Sequence, residues 1–156
     1  MKKAGFGVVV TLLLAGVAAG SIQPEQGKPA TQTFEGLEIA LVSAERSTAG
    51  SIGGACPPRM SGFVQVRMNR GRVLVTTRLR FKVTGAYKGA KIGKILIEDD
   101  KGEGYETSVD LGDFANPGGP QEYECSFMFS APNSAKFGTL KVEAASFDLG
   151  QALKSK

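Results

Sequence analysis

Strict alternation of apolar and polar residues recurs along the chain after residue 30, the pattern of half-buried β-strands. It begins in TFEGLEIALVS with Phe34, Leu37, Ile39 and Leu41. GFVQVRM follows and runs into Asn69-Arg70-Gly71, a turn signal, then into RVLVTTRLRFKVTG. In that long segment Val73, Val75, Thr77, Leu79, Phe81 and Val83 share one face, and Leu74, Thr76, Arg78, Arg80 and Lys82 share the other. KIGKILIE carries Ile95 and Ile97 inward, YETSVDL follows, and QEYECSFMFS sets Tyr123, Cys125, Phe127 and Phe129 on one face. GTLKVEAASFDL closes the pattern. About seven such segments, punctuated by Gly and Pro, predict an all-β domain built as an antiparallel sandwich. No later window keeps a 3.6-residue period, although a short helical turn around Asn133 to Phe137 fits the sequence.

The N-terminus follows a different rule. Lys2 and Lys3 precede an apolar run from Ala4 to Ala19, and Ala18 and Gly20 are the small residues a signal peptidase needs before Ser21. An uncleaved anchor competes, because Ala4 to Ile22 is long enough to cross a bilayer. Several glycines and the want of a stop-transfer charge favour cleavage. The expected organisation is a signal peptide at 1–20, a flexible leader at 21–33 and one domain at 34–150. The mature chain is expected to be exported, periplasmic or extracellular, with membrane contact only if the first segment stays uncleaved.

Five short motifs give the domain a family likeness: FKVTG, then Asp-Asp-Lys-Gly-x-Gly-Tyr from Asp99 to Tyr105, then NPGGP, FMFSAP and LKVEAASFDL. In this order they resemble the immunoglobulin-like domains of exported bacterial proteins and lipoproteins grouped as a domain of unknown function. Those are related in architecture to secreted mycobacterial antigens. The resemblance spans about Phe34 to Leu149. It departs from the family at Thr84, where members often carry Asn, and in having no cysteine for acylation after the apolar run. It implies an antiparallel immunoglobulin-like β-sandwich of about seven strands, export, and no known enzymatic activity. It assigns no catalytic residue.

Composition narrows the chemistry further. The chain has no histidine, which removes Ser-His and Cys-His nucleophiles, imidazole bases and most zinc, copper and haem sites. No serine has a lysine three residues on, and there is no tryptophan for sugar stacking. An enzyme is not expected, and neither is a cofactor or a metal. IEDDKGEGYE, Ile97 to Glu106, crowds carboxylates together, so a calcium loop has to be weighed. Started at Asp99, such a loop places Glu103 and Gly104 well but puts Lys101 at position 3 and the short Asp110 at position 12. A phosphate cradle would be repelled by the same carboxylates. The tip of a β-hairpin needs only what is present.

Two cysteines remain. Cys125 lies on an inward face, and Cys56 sits in GSIGGACPPRMSG, a Gly- and Pro-rich stretch without period. An even count in an exported chain favours a Cys56–Cys125 bridge over a buried free thiol and an exposed one.

Charge is unevenly spread. Without Lys2 and Lys3 the chain keeps 17 basic and 15 acidic residues, yet no Asp or Glu occurs from Arg46 to Ile97. Arg67, Arg70, Arg72, Arg78, Arg80 and Lys82 form a candidate anion-binding surface. The competing reading is internal neutralisation. In an immunoglobulin-like order, residues 72–84 pair with 121–130 and bring Arg80 and Lys82 to Glu122 and Glu124. Aromatic residues for base stacking are not interleaved with the basic ones, so nucleic acid is not an expected partner. The leading expectation is a domain that binds a protein or a cell-envelope component. The alternatives are an anion-binding module acting through residues 67–94 and an inhibitor of an exported hydrolase using a bridged GSIGGACPPRM loop.

Overall fold

The computed structural model describes residues 30–52, 56, 64–112, 114 and 121–153. The expected signal peptide, the leader up to residue 29 and the NPGGP turn lie outside the described residues. In chain order the strands are β1 (Thr31–Phe34), β2 (Leu37–Ser47), β3 (Ala49–Ile52), β4 (Val64–Arg67) and β5 (Arg72–Val83). They continue with β6 (Ile92–Asp99), β7 (Gly104–Leu111), β8 (Glu122–Pro132), β9 (Phe137–Val142) and β10 (Ala145–Asp148), before a one-turn helix α1 (Leu149–Ala152). All pairings are antiparallel. One four-stranded sheet runs β1-β2-β5-β8, the other β10-β9-β6-β7, and β3 and β4 form a separate ribbon.

The chain is a β-sandwich with one core between its sheets. Leu79 and Phe81 of β5 and Cys125, Phe127 and Phe129 of β8 join Ile95 and Ile97 of β6 and Leu140 and Val142 of β9 in a single buried cluster. Each large side chain so buried contributes roughly 1.5–3 kcal/mol. The expected neighbours are adjacent, with Phe81 opposite Tyr123 and Leu79 opposite Cys125. Val83 and Tyr123 are half-buried at the sandwich end. Phe114, which the alternation does not place, is fully buried there. Its ring lies 5.3 Å from Phe81 and 5.8 Å from Tyr123, and its carbonyl accepts the Tyr123 hydroxyl at 2.9 Å.

About seven alternating segments become ten strands among the described residues for local reasons. TFEGLEIALVS contains a whole hairpin. Glu35 and Gly36 both have positive φ, 44° and 84°, as a two-residue type I′ turn requires. A Cβ on Gly36 would also lie 2.3 Å from the Tyr87 nitrogen, so only glycine fits. GTLKVEAASFDL also folds back through a two-residue turn, in which Glu143 alone has positive φ, 50°. The Glu143 carboxylate accepts the Gly93 and Lys94 amides at 2.7 and 2.8 Å, where β6 shifts register. The third addition, β3, has the sequence AGSI and no apolar alternation.

Two expectations need correction. Residues 31–33, read as leader, are strand β1 and pair with Glu38, Ile39 and Ala40. No helix forms near 133–137. There, a turn is held by the Arg46 guanidinium, which donates to the Asn133 and Ala135 carbonyls and lies 5.5 Å from the Phe137 ring centroid. Leu74 does lie on the outer face of β5, yet only 1% of it is exposed. The β3–β4 ribbon covers it, and Gly50 permits the approach, since a Cβ there would lie 2.7 Å from Leu74 Cδ2.

Candidate binding surfaces

The acidic stretch is the β6–β7 hairpin connection, with Glu98 opposite Gly104. Asp99 organises it from within. It is 8% exposed, and its Oδ1 accepts the Lys101 and Glu103 amides, each at 2.9 Å. The Tyr105 hydroxyl reaches Oδ2 at 3.4 Å. Burial pushes the Asp99 pKa up, but the Glu103 and Lys101 amides, the Tyr105 hydroxyl and the Lys101 charge together hold it below its ordinary value. Burial, with the Glu103 and Asp99 charges, pushes the Tyr105 pKa up. Asp99, the first ligand a calcium loop would use, therefore spends its carboxylate on its own main chain.

The second feature is covalent. A disulfide joins Cys56 to Cys125, with a Cα separation of 5.6 Å across 69 residues of chain. Cys125 is fully buried on the inner face of β8, and Cys56 is 7% exposed. The bridge anchors the segment between β3 and β4 to the core. In the chain-entropy model, closing so long a loop stabilises the fold by roughly 4 kcal/mol.

The basic residues divide into two groups. On the outer face of β5, Arg78 pairs with Glu124 at 3.3 Å and Arg80 with Glu122 at 3.1 Å and Glu124 at 3.7 Å. Lys82 turns the other way, to Glu38 on β2 at 3.1 Å. The alternation of Leu37, Ile39 and Leu41 in β2 puts Glu38 on the outer face. Arg72 is held by Ser130, donating to its hydroxyl and its carbonyl at 2.7 Å each. Arg67 and Arg70 are exposed, and neither has an acidic partner among the described residues. Arg67 lies beside an open cleft of about 640 Å³ lined also by Ala49, Gly50, Gln65 and Val66. Of the six candidates, Arg78, Arg80 and Lys82 thus have acidic partners within the chain.

No family model matches the chain, and no curated protein matches it. In structure it is similar to an uncharacterized β-sandwich protein from Clostridium difficile 630, with a TM-score of 0.45 and 11% identity over 76% of this chain and 87% of that one.

Proposed function

We propose that the mature chain is an exported, non-enzymatic immunoglobulin-like domain that binds another protein or a cell-envelope component. The Cys56–Cys125 disulfide is the main support, because such bridges persist in oxidising compartments. It also ties a Gly- and Pro-rich excursion to the core, and end loops held by a rigid sandwich are common contact surfaces. Among the described residues no helix is long and apolar enough to cross a membrane. The want of histidine argues against catalysis, as does the use of Asp99 in the turn.

The test is an intact mass of the protein recovered after export, with and without reduction. The expected species starts near Ser21 and gains two hydrogen atoms on reduction. Retention of Met1 to Gly20 would favour the anchored form, and free thiols before reduction would remove the main support. Capture from envelope extract, identified by mass spectrometry, then names the partner. A second reading, inhibition of an exported hydrolase, is favoured by the same bridge, since it ties Cys56, within the sequence that would enter an active site, to β8. It predicts loss of inhibition on reduction.

A further inference from the structure

Among the described residues, the β3–β4 ribbon has an unpaired edge at β4 whose chemistry suits an extended peptide. Its register pairs Ala49 with Arg67, Gly50 with Val66, Ser51 with Gln65 and Ile52 with Val64. One residue further, the Met68 amide donates to the Thr48 carbonyl at 2.9 Å. In an antiparallel ladder, bonded and non-bonded pairs alternate. Thr48 and Met68 being a bonded pair, Gly50 and Val66 form the next one, while Arg67 and Gln65 belong to non-bonded pairs. The main-chain N–H and C=O groups of Gln65 and Arg67 therefore point away from β3. Among the described residues, no strand pairs with β4 on that side.

Charge selects what would add there. Gln65 and Arg67 are exposed, as is Arg70 in the following turn. No Asp or Glu occurs in β3, β4 or the β4–β5 turn. A strand added at about 4.8 Å would alternate its side chains with the same two-residue period as β4. Acidic residues at every second position would then share the face of Arg67.

We propose that β4 is a strand-addition site for an extended acidic peptide segment of a protein partner. Gln65 and Arg67 would supply the main-chain ladder, and the Arg67 and Arg70 guanidinium groups the selection for carboxylates. This rests on the reading of the domain as a protein-binding module.

The test is fluorescence anisotropy of the disulfide-intact chain with a labelled peptide alternating Thr and Glu. The Arg67→Gln/Arg70→Gln variant is expected to lose at least tenfold in affinity and most of the salt dependence. Gln65→Pro removes an outward N–H and no β3–β4 ladder bond. It is expected to lose about tenfold while the salt dependence stays. A probe N-methylated at alternate amides makes the same cut without touching the protein, and should bind as weakly. Equal binding of the methylated and unmethylated probes would overturn strand addition and leave a general anion site, which dextran sulfate would then also fill. Failure of the plain probe to bind would overturn it too, and make Arg67 a charge that guards the edge against aggregation. A partner captured equally well by wild type and by Arg67→Gln/Arg70→Gln would remove β4 from the interface and leave the domain's binding role intact.

Discussion

Arg80 and Arg67 belong to the same acid-free run of sequence, yet the fold puts them to different uses. Arg80 sits in the middle of a four-stranded sheet, where its register neighbour across the ladder is Glu124. Arg67 sits on a two-stranded ribbon whose pairing partner at that register is Ala49. A basic residue in a wide sheet acquires partners from strands far away in sequence; Arg67, on a two-stranded ribbon, has no acidic partner among the described residues. Local composition does not separate these cases. Pairing does.

The difference can be probed from its largest consequence to its smallest. If the outer charges of β5 are accessory to a core beneath them, core damage must dominate. Phe81→Ala should cost about 3–5 kcal/mol in a denaturant titration, since it empties the centre of the aromatic cluster. Next comes the bridge that holds the β3–β4 excursion. Replacing both Cys56 and Cys125 by Ala should cost about 2–4 kcal/mol, measured the same way without reductant.

Asp99→Asn should cost less, and its signature is the pH dependence. The Asp99 pKa is lower in the folded chain than its ordinary value of 3.8, so its contribution is complete above that value and is lost as pH falls through the lowered one. The variant should be less stable than wild type at neutral pH, and the gap should narrow below about pH 3.8. Arg80→Ala, one residue from Phe81 but on the opposite face, should cost at most about 1 kcal/mol, because its pairs are exposed and screened by salt. A larger loss would mean that the ladder carries the sheet.

Much of the fold was legible because alternation encodes strand faces directly. β5 and β8 show it over about a dozen residues, and in β5 the inward set from Val73 to Phe81 is buried, with Leu74 the one outward residue buried beside it. What escaped lacks that signal. AGSI pairs with β4, and its sequence carries no apolar alternation to announce the strand. The hairpins at Glu35 and Glu143 are hidden because the first left-handed residue of each turn is a glutamate, which rarely marks a turn. Phe114 stands in a Gly- and Pro-rich stretch, where no periodicity shows that its ring is buried. Among the candidate residues, the cysteine pair was readable from parity and the expected export, and the Arg80 pairing from strand order. The separation of Arg67 and Arg70 from the rest was not, because it depends on which strands end up beside them.

The most direct measurement compares two double variants, Arg67→Gln/Arg70→Gln and Arg78→Gln/Arg80→Gln, for stability and for affinity toward the alternating Thr–Glu peptide. The first should keep the wild-type denaturation midpoint and lose at least tenfold in affinity. The second should lower the midpoint slightly and bind the peptide as wild type does. The opposite result, with affinity lost through Arg78 and Arg80 and unchanged without Arg67 and Arg70, would contradict the division of the basic residues into an internal ladder and an open edge.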